Sequence, residues 1–252
     1  MNSAARPAGR IAYAIAGGTL LIVLAQLIGQ FELAGKAWPP LTDVLAYVST
    51  PAGSSLLGRN LLVTLAAAAQ GLLLGTVVAV LGAALALVVP MLRPGLDRFA
   101  AILHAVPTIA LAPLLITTVG REGTPAVIAA LSVGFVMFVS MTSGLTAANP
   151  AHHDLFTVFG STRLQRLGRL ELPRAVPAFF DGLTLAAPAA ILGATIGEWF
   201  GAPMGIGLLL VSAMQNYQMA LLWAAALAAT LLSLAAYLLL VQLQRLAAGR
   251  FA

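Results

Sequence analysis

Six apolar stretches, each close to the length a helix needs to cross a bilayer, dominate this chain: Ile11–Gly29, Leu61–Val89, Phe99–Val119, Pro125–Ala148, Val176–Phe200 and Met219–Leu243. A helix rises about 1.5 Å per residue, so roughly 20 apolar residues traverse the hydrocarbon. The second stretch is long enough to tilt or to protrude into water. Composition agrees with a surface that faces lipid. Of 252 residues, 60% are hydrophobic and 8% charged, and mean hydropathy is +0.98. A soluble domain carries about 25% charged residues to coat its surface. The pattern predicts an all-α, polytopic membrane protein, with residues 1–252 forming a single transmembrane domain.

The net charge of +5 does not signal nucleic acid. The basic residues fall between the apolar runs rather than on one face or tail, which is how membrane topology is encoded. With the N-terminus in the cytoplasm, Arg6, Arg10, Arg93, Arg98, Arg163, Arg166, Arg169, Arg174, Arg245 and Arg250 lie inside, and only Lys36, Arg59 and Arg121 outside. Both termini are then cytoplasmic. The first apolar run exceeds a signal-peptide core of about 7–15 residues, and no A-x-A site follows it before Trp38. It is expected to stay as a helix.

Helices associate in lipid through small residues that let backbones approach. Gly71, Gly75, Ala79 and Gly82 recur at four- and three-residue spacing and predict such a seam in the second span. Pro107 and Pro113 interrupt the third span and Pro188 the fifth, freeing carbonyls that neighbouring helices or a water-lined cavity must satisfy. Packing kink and pathway-lining helix are both open readings.

Cysteine is absent, so neither a disulfide framework nor a thiolate site exists. His152-His153-Asp154 does not make a metal site, because adjacent residues do not share a helical face and no H-x-x-x-H pair occurs. G-x-S-x-G is also missing. Polar residues inside spans are costly and default to functional hypotheses. Gln70, His104 and Glu198 are therefore candidates for a translocation pathway, although a lone Gln or His can also hydrogen-bond a neighbouring helix. Asp181 and Glu198 lie toward opposite ends of the fifth span. Gln215, Asn216 and Tyr217 precede the last span, to cap it or to contact another protein.

The segment Asn149–Ala175, NPAHHDLFTVFGSTRLQRLGRLELPRA, departs from its surroundings. From Asp154 a short helix is expected, with the acid favourable to the helix dipole. Gly160 supplies a left-handed turn, Ser161 a cap for a second helix, and Pro173 closes the segment. Leu155, Phe156, Phe159, Leu164 and Leu167 give this helix–turn–helix an apolar surface that needs a partner. Arg163, Arg166 and Arg169 repeat every third residue, to pair with a partner's acids or with anionic headgroups.

Here the chain resembles the permease subunits of binding-protein-dependent ABC importers, whose cytoplasmic loop carries Glu-Ala-Ala, three residues, Gly, nine residues and Ile-x-Leu-Pro. Asp154 stands at the Glu, Gly160 at the Gly, Leu170 at the Ile, and Leu172-Pro173 at the Leu-Pro, whereas Leu155 and Phe156 replace the alanines with bulkier groups. Trp38-Pro-Pro-Leu-Thr-Asp-Val-Leu, His104-Ala-Val-Pro-Thr-Ile-Ala-Leu-Ala-Pro and Gly197-Glu-Trp-Phe-Gly-Ala-Pro-Met-Gly-Ile-Gly resemble segments of the nitrate/sulfonate/taurine branch. The resemblance implies a type I importer permease fold, with Asp154, Leu155, Phe156, Phe159, Gly160, Arg163, Leu172 and Pro173 forming a coupling element. It implies an inner-membrane complex with cytoplasmic ATPase subunits, an extracytoplasmic binding protein and a second permease copy. ATP and Mg then belong to the ATPase partners.

The sequence fits that division of labour. The only lysine, Lys36, follows Gly35, but Gln30 and Ala37 occupy the remaining fixed positions of a P-loop. Sulfonates, taurine, nitrate, pyrimidine vitamin precursors and riboflavin-like compounds are the cargoes the resemblance suggests. A stand-alone secondary carrier would favour paired intramembrane charges and inverted repeats. A membrane-embedded enzyme would cluster His or acidic ligands at one face. Neither pattern is visible in the sequence.

Overall fold

The computed structural model describes residues 7–146 and 150–251. Arg6, and Ala148 and Asn149 at the junction of the fourth expected span with the loop, lie outside the described residues. The side chains of Arg10, His152, His153 and Arg250 lie outside them too.

Among the described residues the chain is helical, in the order α1 (Pro7–Gln30), α2 (Leu41–Ser49), α3 (Pro51–Val88), α4 (Arg93–Ala105), α5 (Thr108–Leu145), α6 (Pro150–Val158), α7 (Arg163–Arg166), α8 (Leu172–Glu198), α9 (Ile206–Gln215) and α10 (Met219–Phe251). A single 3₁₀ turn, Pro90–Leu92, precedes α4, and a π-helical turn, Leu167–Glu171, joins α7 to α8. Among the described residues, five helical stretches are long and apolar enough to cross a membrane, Tyr13–Gln30, Pro51–Val88, Thr108–Leu145, Arg163–Glu198 and Met219–Ala247, so the expected count of six is not reproduced exactly.

The difference arises in the third and fourth expected spans. Pro107 denies Val106 a helical conformation, and Val106 is extended at φ −71°, ψ 125°. The stretch Phe99–Val119 is therefore shared between the end of α4 and the start of α5. Within α5, Gly120 adopts φ 83°, ψ 171°, a non-helical conformation that divides the element before Pro125. The fifth expected span also begins earlier than its apolar run. Its helix is continuous with α7, because the π turn passes the Leu172 N–H back to Leu167 O. Pro173, which has no N–H to donate, sits in the first turn of α8 instead of closing the segment.

The chain divides into two compact units: residues up to Gly58 with Leu209–Leu227, and Arg59–Leu208 with the chain from Ala228 onward. In the first, Trp38 donates its indole N–H to Ala25 O at 3.1 Å. Trp223 donates to Ala37 O at 2.9 Å, and the two indole rings lie 4.4 Å apart. The Gln26 side chain holds the start of α2 by accepting the Thr42 N–H at 3.2 Å.

The second unit is built on close helix approach. A methyl group at Gly71 would stand 2.3 Å from Ala129 Cβ, and one at Gly75 would stand 2.6 Å from Ala130 O. Backbone of α3 thus lies directly on α5, the approach that small residues permit in lipid. Ala79, the next small residue of the seam, is buried. α8 also packs along α5, and the shared core gathers Ala129, Val133, Met137, Met141, Ala186 and Ala190.

Candidate functional site

The segment between α5 and α8 forms the helix–turn–helix that its sequence predicts. The first helix, α6, ends in a Schellman motif: the Gly160 N–H donates to Thr157 O and the Ser161 N–H to Phe156 O, each at 3.0 Å. Gly160 takes φ +64° to close it. Ser161 is not the cap of the second helix. Its hydroxyl donates to Phe156 O, and Thr162 caps α7 through a reciprocal box with Gln165. Thr162 Oγ1 accepts the Gln165 N–H at 3.3 Å, and Gln165 Oε1 accepts the Thr162 N–H at 2.9 Å.

This arrangement turns apolar side chains outward. Val158 is 83% exposed, Phe159 81%, Leu164 77% and Leu155 51%. Asp154 is exposed beside them, Phe156 is half-buried and Gly160 is open to its surroundings. At the far end Leu170 and Glu171 are buried, Leu172 is exposed and Pro173 half-buried. The three arginines differ in what they touch. Arg163 donates from Nη2 to the carbonyls of Leu87 and Val88 at 2.7 and 3.0 Å. Arg166 Nε lies 3.6 Å from Glu171 Oε1. Arg169 is exposed.

The three pathway candidates stand in different surroundings. Gln70 is exposed on α3. His104, in the last turn of α4, is also exposed, and its ring stacks on Phe135 at 4.1 Å with planes 9° apart. Glu198 is fully buried. It belongs to a polar node that sequence reasoning missed. The first amides of α9 point away from their own helix and must find acceptors elsewhere. Gly205 N–H donates to Asn60 Oδ1 at 2.7 Å, Ile206 N–H to Thr64 Oγ1 at 2.9 Å, and Gly207 N–H to Glu198 Oε2 at 2.7 Å. Thr64 Oγ1 is also 3.0 Å from Glu198 Oε2, so an acid stands where the helix dipole favours one. Two signals point to the node: Asn60 and Thr64 share a helical face, and glycines follow Glu198 at 205 and 207. Glu198 also lines a cavity of about 250 Å³ with Val63, Glu122, Pro125 and Met204. Elsewhere on α8, Asp181 accepts a hydrogen bond from Gln244 of α10.

Comparison with known proteins places this architecture. Residues 71–252 match the family described as binding-protein-dependent transport system inner membrane component. The chain is 33% identical over 185 residues to a protein of Haemophilus influenzae named as an ABC transporter permease, covering 73% of this chain and 76% of that one. It is 30% identical over 186 residues to the formylaminopyrimidine transport permease protein ThiX of Halalkalibacterium halodurans, covering 73% and 72%. It is 27% identical over 217 residues to a permease of Bacillus subtilis named for aliphatic sulfonates transport, SsuC, covering 83% and 78%. In fold it is similar to a chain of the MetNI methionine ABC transporter in an inward-facing conformation, with TM-score 0.66 and 15% identity over 79% of this chain and 99% of that one. A lipid-compatible helical body, a turned-out helix–turn–helix and a family match over most of its length agree: the chain belongs to the family of binding-protein-dependent transport system inner membrane components, and is the permease subunit of an ABC importer.

Proposed function

We propose that this permease carries a small solute handed over by an extracytoplasmic binding protein, powered by separate ATPase subunits that dock on α6 and the turn at Gly160. The observation that carries this reading is the exposure of Leu155, Val158, Phe159 and Leu164 on one short helix–turn–helix. Leu155, Val158 and Phe159 precede the stretch that begins at Arg163, and apolar side chains presented together outside a span call for a protein surface to cover them. The working unit is a pair of permease copies, with both termini cytoplasmic as the arginine distribution requires.

For the cargo we favour a neutral nitrogen heterocycle of the pyrimidine vitamin-precursor kind, which the ThiX relative supports. The apolar stretches read from the sequence contain no Lys or Arg, and Arg59 in α3 and Arg121 in α5 fall outside those stretches. A sulfonate carries a fixed negative charge, and moving it past apolar walls without a counter-charge is costly. The SsuC relative keeps the sulfonate reading as the second.

The test is to co-purify the permease with its ATPase and binding protein, then identify the retained ligand by mass spectrometry. Proteoliposomes containing the full complex should accumulate a formylaminopyrimidine only when ATP is supplied. Accumulation by the permease alone, driven by an ion gradient, would overturn the reading in favour of a secondary carrier. Accumulation of taurine and not the pyrimidine would select the second cargo.

A further inference from the structure

α3 ends where Val89 precedes Pro90, since the residue before proline is held out of the helical region; Val89 has φ −119°, ψ 81°. The final carbonyls of a helix lack amide partners within it. The Leu92 N–H, which would continue the ladder to Val88 O, turns instead to Val89 O at 2.9 Å. The open carbonyls of Leu87 and Val88 are taken by one group, the Arg163 guanidinium, at 2.7 and 3.0 Å. A cation at a helix C-terminus is also favoured by the dipole. These residues are 76 and 75 positions apart in the chain.

We propose that Arg163 is a positioning residue that ties the coupling element to the end of α3, so that displacement of α6 is delivered to α3 as well as to α8. This rests on the reading that ATPase subunits drive the chain through α6. Arg163 is the first residue of α7, immediately after the Thr162 cap and the turn at Gly160. A push on α6 therefore reaches it across four residues, Phe159 to Thr162. α3 is a continuous helix from Pro51 to Val88, and its close backbone contact with α5 at Gly71 and Gly75 makes it a stiff receiver. Beside the tie, a cavity of about 100 Å³ between the ends of α3 and α5, lined by Ala83, Ala86, Leu87, Pro90, Thr142 and Leu145, leaves room for the end of α3 to shift.

The natural chain contains no cysteine, so spin labels can be placed at Met91→Cys and Gly168→Cys, both exposed, in the complete complex with ATPase and binding protein. In the otherwise natural chain the distance between the labels should be the same with ADP and with ATP, because the two elements move together. In Arg163→Ala the two nucleotides should give different distances. Uptake per ATP hydrolysed should fall about tenfold, within the usual range of coupling energies, while ATPase subunits still copurify. Arg163→Lys, which offers a charge without the planar fork, should recover part of the coupling. If the labelled natural complex shows the same nucleotide-dependent change as Arg163→Ala, the tie does not exist. If Arg163→Ala simply fails to assemble, Arg163→Lys and the labels in the natural chain still decide. If no ATPase copurifies with the natural chain, the underlying coupling reading fails instead.

Discussion

Glu198 accepts the backbone N–H of Gly207 at 2.7 Å, so the last residue of α8 caps the helix that follows it. Thr64 and Asn60 of α3 complete the arrangement by accepting the neighbouring amides of Ile206 and Gly205. Three helices are thus pinned at one buried point by side chains meeting helix-end amides. Glycine at 205 is required by the geometry: its φ is +135°, and a methyl group there would stand 2.2 Å from Glu198 Cδ.

Removing this carboxylate should cost stability before it touches transport. Glu198→Ala leaves the Gly207 N–H without its acceptor at a buried position, and a buried unsatisfied group costs about 1–3 kcal/mol. Glu198→Gln keeps an acceptor oxygen and the volume, so its loss should be smaller. Thermal unfolding of the detergent-purified protein should rank natural, Gln and Ala in descending stability. Equal melting temperatures for all three would mean the node does not hold these helices.

The seam between α3 and α5 predicts opposite outcomes for two glycines of one helix. Gly71→Ala places a methyl group 2.3 Å from Ala129 Cβ and 2.8 Å from Ala126 O. Overpacking of this kind costs about 1–3 kcal/mol. Gly82→Ala meets only the Phe138 ring at 3.5 Å, an ordinary contact, and gains about 1 kcal/mol of helix propensity. Expression and melting should therefore fall for Gly71→Ala and hold or rise for Gly82→Ala.

How much of this was legible in the sequence depends on the range over which each feature is determined. The seam at Gly71 and Gly75, the turn at Gly160 and the outward apolar side chains of α6 follow from residues within a few positions of one another. The count of spans is not reproduced exactly where local rules compete. The apolar run Phe99–Val119 contains Pro107, and Gly120 follows it; both break the helix without interrupting the hydropathy. The cap was misassigned by one residue because Ser161 and Thr162 have similar intrinsic preferences. What decides between them is Gln165, three residues beyond Thr162, which completes a capping box. The Arg163 tie lies beyond any local pattern, since its partner is 75 residues away, and the local signals at the Glu198 node do not name Thr64, 134 residues away, as its partner.

At Gly160 the expected effect separates folding from transport. A residue with a Cβ in the left-handed region costs about 1–2 kcal/mol, and a β-branched one is the least tolerated there. No atoms crowd the position, since a methyl group would meet nothing within 4 Å, so the penalty is conformational and confined to the turn. Gly160→Val should insert into the membrane at natural levels yet lose uptake, because α6 is no longer held at its angle to α7. Normal uptake by this variant would remove the turn from the coupling element.

Phe159 offers the sharpest test of what α6 is for. Its side chain is 81% exposed, so truncation removes almost no contact within the chain, and Phe159→Ala should leave melting unchanged. Replacing Phe with Asp goes further, placing a charge on the surface that an ATPase must bury; desolvating an unpaired charge is strongly unfavourable. Copurified ATPase should therefore fall for Phe159→Ala and vanish for Phe159→Asp, while membrane insertion and the yield of permease stay constant. Arg169, also exposed on this segment, provides the control for charge alone: Arg169→Ala should alter the salt dependence of ATPase binding more than its extent, as expected of a rim charge. ATPase recovery at natural levels with Phe159→Asp would show that the apolar surface of α6 is covered by something other than the motor.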